Sequence, residues 1–149
     1  MLDALTIIDM QNGFCGNNSH YHGSVSGFEK LEKKMIDNIV ERIKEYKTQG
    51  LPIILVEFND FHFGETIAEI TKWLEGYEHL YVVNKTQDNG GREIHKEIRE
   101  KKLNVKEIEI VGINYDACVK RTHAGLIQRG YGADINKEAT NYKIFKRSK

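Results

Sequence analysis

The sequence predicts an α/β protein of three layers, with helices on both faces of a mainly parallel sheet. Three observations predict it. Short apolar runs with β-branched residues alternate with amphipathic stretches at helical spacing along nearly the whole chain. Glycine and proline punctuate the alternation, as at Gly50, Pro52, Gly76 and Gly130. The length of 149 residues suits one domain able to bury a core without disulfides or metals as staples.

Each element can be justified in order. Ala4-Leu5-Thr6-Ile7-Ile8 reads as a buried strand, followed by a polar loop from Asp9 to about Gly27. Ser26 and Glu29 fit the S-x-x-E capping box. Behind them Phe28, Leu31, Met35, Ile36, Ile39, Val40 and Ile43 recur at helical spacing, until Gly50 and Pro52 stop the helix. Ile53 to Phe58 is a second strand. Ile67, Ile70 and Leu74 mark a shorter helix ending near Gly76. Leu80 to Val83 is a third strand, and Asn84 to Gly91 a polar loop. A charged helix runs from about Arg92 to Lys102, and Ile108 to Val111 is a fourth strand. A sharp turn over Gly112 to Asp116 leads into a helix from about Ala117 to Arg129. The tail carries weaker strand signals at Ala133–Asn136 and Tyr142–Phe145. No internal repeat or linker is visible, so residues 1–149 are expected to form a single domain with a Rossmann-like sheet.

Composition narrows the function. Lys+Arg and Asp+Glu are each 22, so the formal charge is zero and no basic excess draws the chain to nucleic acid or an anionic membrane. The longest apolar stretch, Leu51 to Val56, is far too short to span a bilayer, and Met1-Leu2-Asp3-Ala4 lacks the basic start of a signal peptide. The expected location is the cytoplasm, where Cys15 and Cys118 would be free thiols. The expected partner is a small molecule.

In open parallel sheets the site lies outside the carboxyl ends of the strands. That rule selects Asp9, the run Asn59-Asp60-Phe61-His62, Asn84-Lys85, and Asn114 to Cys118. An acid, a base and a thiol therefore share one edge. Cys118 follows a strand at the start of a helix, where backbone N–H groups and the helix dipole would lower its pKa and could hold an oxyanion. It equally suits a small buried residue packing helix on sheet. Asp9 and Lys85, each after a buried strand, could be caps or solvated side chains. Taken with Cys118 they make a nucleophile, a base and an orienting cation. An activated thiol of this kind would alkylate well below the ordinary thiol pKa of about 8.5.

The motifs carry a resemblance. Ile7-Ile8-Asp9-Met10-Gln11-Asn12-Gly13-Phe14, Val82-Val83-Asn84-Lys85 and Gly112-Ile113-Asn114-Tyr115-Asp116-Ala117-Cys118-Val119 resemble, in order and at compatible spacing, the three motifs of the isochorismatase-like cysteine hydrolases, which include nicotinamidases and related amidases. The resemblance covers about residues 3 to 140. It implies a catalytic triad of Asp9, Lys85 and Cys118. It also implies a cis peptide between Ile113 and Asn114, and an oxyanion hole from the backbone amides of Asn114 and Cys118. The activity it implies is hydrolysis of a small amide through a thioester on Cys118. Many such relatives are oligomeric, so a homo-oligomer is expected.

Departures bear on the substrate. Asp60-Phe61-His62 matches the Asp-x-His part of the nicotinamidase metal motif, but the further histidines are missing. Two ligands hold a transition metal poorly. No metal or other cofactor is expected, and His62 is expected to line the pocket or bond locally. The loop Thr86-Gln87-Asp88-Asn89-Gly90-Gly91 lacks the serine–aromatic pattern common there, and Tyr115 stands where Thr is frequent. Phe14 is the candidate aromatic wall, and Tyr115 a further pocket residue. His20, His22 and Cys15 read as first-loop residues that could touch a ligand or simply be loop polars, and His123 reads as structural. The alternatives are a non-catalytic binding relative, a nicotinamidase with a reduced metal site, and a thiol-redox or metal-binding protein using Cys15 and Cys118. The last needs the two sulfurs within disulfide reach.

Overall fold

The computed structural model describes the backbone of residues 2–15 and 28–143, and the side chains of those residues other than 28–32. The strands are β1 (Ala4–Ile8), β2 (Ile53–Phe58), β3 (Leu80–Lys85), β4 (Glu107–Gly112) and β5 (Gly132–Thr140). All pair in parallel, in the order β3-β2-β1-β4-β5. The helices are α1 (Asn12–Cys15), α2 (Phe28–Thr48), α3 (Ala68–Leu74), α4 (Gly91–Glu100) and α5 (Lys120–Gln128), with a π-helical turn at Tyr115–Val119 leading into α5.

The alternation of side chains along β1 explains the layers. Leu5 and Ile7 face one way and pack with Ile39 and Ile43 of α2 and Ile70 and Leu74 of α3. Ala4 and Ile8 face the other way, toward Ile94 and Ile98 of α4 and Leu126 of α5. Every residue of β1 is buried, as a central strand covered on both faces must be. The chain builds outward from β1 to β2 and β3, then returns to β4 on its other side. The strand order reverses beside β1, which sets a crevice at its carboxyl end.

Several elements differ from their expected extent. β3 runs on to include Lys85, because Asn84 and Lys85 continue the register against Glu57 and Phe58. The expected first-loop coil contains the short helix α1. β5 is nine residues long rather than four. Tyr142 and Lys143 are helical instead of starting a strand. The capping box at Ser26 and Glu29, and His20 and His22, lie outside the described residues. Among the described residues no helix is long and apolar enough to cross a membrane.

Gly112 closes β4 at φ 118, and a Cβ there would lie 2.2 Å from the Ile8 carbonyl oxygen. Only glycine allows the end of β4 to lie so close to the end of β1. This approach brings the Ile113–Val119 segment beside Asp9.

One buried polar cluster supports the sheet away from this edge. Glu109 of β4 accepts hydrogen bonds from Arg42 Nε and Nη2, each at 2.8 Å, from the Tyr46 hydroxyl at 2.9 Å and from Asn136 Nδ2 at 3.0 Å. Burial pushes the Glu109 pKa up, but the bonds from Arg42, Asn136 and Tyr46 outweigh it, and the net shift is downward. A lowered folded pKa gives stability present above the ordinary carboxylate value and lost as pH falls through the folded one. Glu109→Gln should therefore cost about 1–3 kcal/mol at pH 7. Thermal unfolding of both proteins at pH 7 and at about pH 3 checks it. The gap should close in acid, and a gap of equal size at both would refute the linkage.

Candidate active site

Three strand ends deliver the three chemical side chains. Asp9 follows β1 directly, in the left-handed backbone region at φ 55, with its N–H donating to the Val56 carbonyl at 3.0 Å. Aspartate is among the few non-glycine residues that visit this region, and doing so turns its carboxylate off the strand toward the crevice. Lys85 is the last residue of β3. Cys118 lies in the π-helical turn after β4.

Asp9 and Lys85 are all but sealed, with side chains 1% and 0% exposed. Lys85 Nζ lies 3.1 Å from Asp9 Oδ2 and 3.3 Å from Cys118 Sγ. It also donates to the Gln87 carbonyl at 3.0 Å and lies 4.1 Å from the centre of the Phe58 ring. The Asp9–Lys85 contact is an ion pair rather than a directed hydrogen bond. Among the described residues neither Asp9 oxygen has a hydrogen-bond partner of good geometry, so the carboxylate keeps lone pairs able to take a proton.

The electrostatics correct one expectation. The Cys118 pKa is raised, not lowered. Burial is the main cause, the Asp9 carboxylate adds to it, and Lys85 opposes. Cys118 does not sit in the first turn of an α-helix. It lies within a π-helical turn, where the Ala117 and Val119 amides already donate to the Asn114 carbonyl, each at 3.1 Å. At rest Cys118 is therefore a thiol. Burial also raises the Asp9 pKa, with Lys85 and the thiol pulling it back. A carboxylate with a raised pKa beside a thiol with a raised pKa can accept the thiol proton and later return it.

The turn after β4 is held from the far end of the chain. The peptide between Ile113 and Asn114 is cis. Asn141 Oδ1 accepts the Tyr115 N–H at 2.8 Å, and Asn141 Nδ2 donates to Asn114 Oδ1 at 2.8 Å. The amides of Tyr115, Ala117 and Val119 are thus engaged.

The remaining candidates fall as follows. Phe14 is buried and stacks on Phe63 at 4.1 Å, and Phe63 meets Phe58 edge-on at 5.3 Å. Phe58 is the ring of this set against Lys85, so Phe14 stands behind it. Gln11 fixes the wall, donating to the Phe58 and Gly64 carbonyls and accepting the Phe58 N–H at 2.7 Å. Tyr115 meets Tyr142 edge-on at 4.8 Å. His62 Nδ1 bonds Asp60 Oδ1 at 2.8 Å, with side chains 61% and 42% exposed. Among the described residues no group of three His, Cys, Asp or Glu side chains is placed to hold a metal. An exposed pair bonded to each other is a poor fit to the metal of nicotinamidases. His123 Nε2 bonds the Ala133 carbonyl at 2.8 Å. Cys15 donates to the Gln11 carbonyl at 3.0 Å and packs in the α2–α3 core, whereas Cys118 belongs to the opposite core. Neither cysteine forms a disulfide and they lie in opposite cores, which removes the paired-thiol reading.

The sequence alone does not single out Asp88, Arg121, Thr122, Asn141, Phe58 or Gln11, which the structure places around the candidate site. Asp88 follows β3 by three residues and was open to the strand-end rule. Phe58 reads as core because an apolar strand end looks the same whether or not it meets a cation.

The comparisons agree with the fold. A family model described as isochorismatase domain matches residues 3–141. The nicotinamidase of Staphylococcus aureus superposes with a TM-score of 0.75 at 18% identity, covering 99% of this chain and 92% of that one. The N-carbamoylsarcosine amidase of Thermoplasma acidophilum gives 0.73 at 20% identity, covering 94% and 84%. A nicotinamidase from Bacillus subtilis gives 0.76 at 17% identity, covering 94% and 86%. At such identities the neighbours establish the fold. No match was found among curated protein sequences.

Proposed function

The chain belongs to the isochorismatase family, a family of hydrolases, and we propose that it is a cysteine hydrolase cleaving a small amide by way of a thioester on Cys118. The observation that carries this reading is the buried cluster in which Lys85 Nζ meets both Asp9, at 3.1 Å, and Cys118 Sγ, at 3.3 Å. A sealed acid, cation and thiol are costly to bury together. They are suited to acyl transfer.

The steps balance. Asp9 takes the Cys118 proton as sulfur bonds to the carbonyl carbon, and the oxygen becomes an oxyanion. The backbone amides of Asn114 and Cys118 are the donors that the family resemblance implies for it. Collapse breaks the C–N bond, and Asp9 gives its proton to the leaving amine. Water then attacks the thioester, losing a proton to Asp9. The C–S bond breaks and the proton returns to sulfur. Lys85 holds the carboxylate throughout and stabilises negative charge on sulfur.

The test is ammonia release from a panel of small primary amides and ureido compounds. Nicotinamide and N-carbamoyl amino acids come first, because structural neighbours carry those names. The expected result is turnover with at least one compound, an acyl adduct on Cys118 by mass spectrometry, and loss of both in Cys118→Ala. Turnover surviving in Cys118→Ala would refute the mechanism.

A further inference from the structure

Three ionisable side chains surround Cys118 Sγ, and they differ in exposure. Asp9 and Lys85 are sealed behind it. Asp88 Oδ1 accepts a hydrogen bond from the Cys118 thiol at 3.7 Å, on a side chain that is 39% exposed. A substrate carbonyl arrives from solvent, so of these three groups Asp88 is the one it passes.

Asp88 is fastened in that place. Its Oδ2 pairs with Arg121 Nη1 at 3.1 Å, and its carbonyl accepts the Thr122 hydroxyl at 3.3 Å. Thr122 is fully buried and its oxygen also accepts the Gly90 N–H at 2.9 Å. On the other side, Lys85 holds the Gln87 carbonyl at 3.0 Å. The loop from Thr86 to Gly90 is therefore tied to β3 at one end and to α5 at the other.

We propose that Asp88 is a specificity-determining residue, a second carboxylate at the mouth of the site that selects neutral N–H-bearing or cationic amides and turns away anionic ones. A carboxylate there accepts the N–H groups of an amide, urea or ammonium and repels a carboxylate. Arg121 does not cancel it. The arginine side chain is 65% exposed, so solvent and salt screen its charge more than that of a carboxylate against the sulfur. The substrate part of this proposal rests on the hydrolase reading; the placement of Asp88 does not.

The test uses charged thiol reagents, which need only a reactive sulfur. Cys118 is modified with cationic trimethylammonioethyl methanethiosulfonate and with anionic sulfonatoethyl methanethiosulfonate, and mapped by peptide mass. The cation-to-anion rate ratio is normalised to that of β-mercaptoethanol. Changes in thiol ionisation cancel in the ratio, so it reports the local field. The ratio should exceed that of the free thiol, fall about fivefold to tenfold in Asp88→Asn, and rise in Arg121→Gln. An unchanged ratio in Asp88→Asn, or an anion preference in the unsubstituted protein, overturns the proposal; the second result assigns the mouth to Arg121. The same variants are then assayed for ammonia release from β-alaninamide and succinamate, which match in length and differ in charge. A shifted reagent ratio without hydrolysis of any amide would refute the hydrolase reading and leave Asp88 governing a bound ligand.

Discussion

Replacing Asp9 by Asn is expected to move two measurements in opposite directions. Turnover should fall about 10²- to 10⁴-fold, the range for loss of a positioned general base. Alkylation of Cys118 by iodoacetamide at fixed neutral pH should become faster. The Asp9 carboxylate helps hold the thiol proton, and Lys85 opposes it from 3.3 Å. With that negative charge gone, only the half-exposed Asp88 carboxylate still opposes the lysine at the sulfur, and the thiol pKa falls. In the unsubstituted protein the alkylation rate should climb with pH past the ordinary thiol range, because the folded thiol pKa lies above it. A merely structural Asp9 would give slower turnover with unchanged alkylation, and that pattern would refute the assignment.

Lys85→Met should carry the largest stability penalty of any substitution at the site. Methionine fills much of the lysine's volume against Phe58 but leaves the Asp9 charge buried without its cation. Breaking a buried pair in this way costs about 3–5 kcal/mol. The cost should depend on pH. A carboxylate with a raised folded pKa contributes stability fully present below its unfolded pKa, near 3.8, and lost as pH rises through the folded value. Removing Lys85 raises the folded value further. The variant should therefore approach the parent near pH 4 and fall furthest behind at about pH 8, as urea unfolding at the two pH values would show. An equal deficit at both would place the lysine's contribution in packing rather than charge.

The readable part of the site lies where backbone geometry fixes it. Asp9 and Lys85 end or directly follow β1 and β3, and the carboxyl-edge rule finds them because a strand end has one position. The same rule and the surrounding motif pick out Cys118 as a candidate, but its pKa is raised rather than lowered. A π-helical turn shifts the hydrogen-bond register by one residue and leaves no mark in side-chain periodicity. Its donors are partly spent on the Asn114 carbonyl, and burial dominates the thiol. Asp88 illustrates the other limit. Its position depends on Arg121 and Thr122, more than thirty residues away in sequence, and no local pattern encodes that clamp. The strand signal of β5 is short because Lys137 and Glu138 interrupt it at the exposed edge of the sheet. Phe14 is near Asp9 in sequence, but the short helix α1 turns it into the core.

Asn141 ties the last described turn to the loop between β4 and the π-helical turn, through Tyr115 N–H and Asn114 Oδ1. This has a consequence for synthesis on the ribosome. A nascent chain that has emerged as far as Cys118 already holds every residue of the proposed triad, yet the loop beside its sulfur lacks its tether. Not until β5 has docked on β4 and Asn141 has followed it does that loop gain its anchor. The Cys118 thiol is made early and its setting is completed late, so an unfinished chain carries the thiol without the loop that frames it.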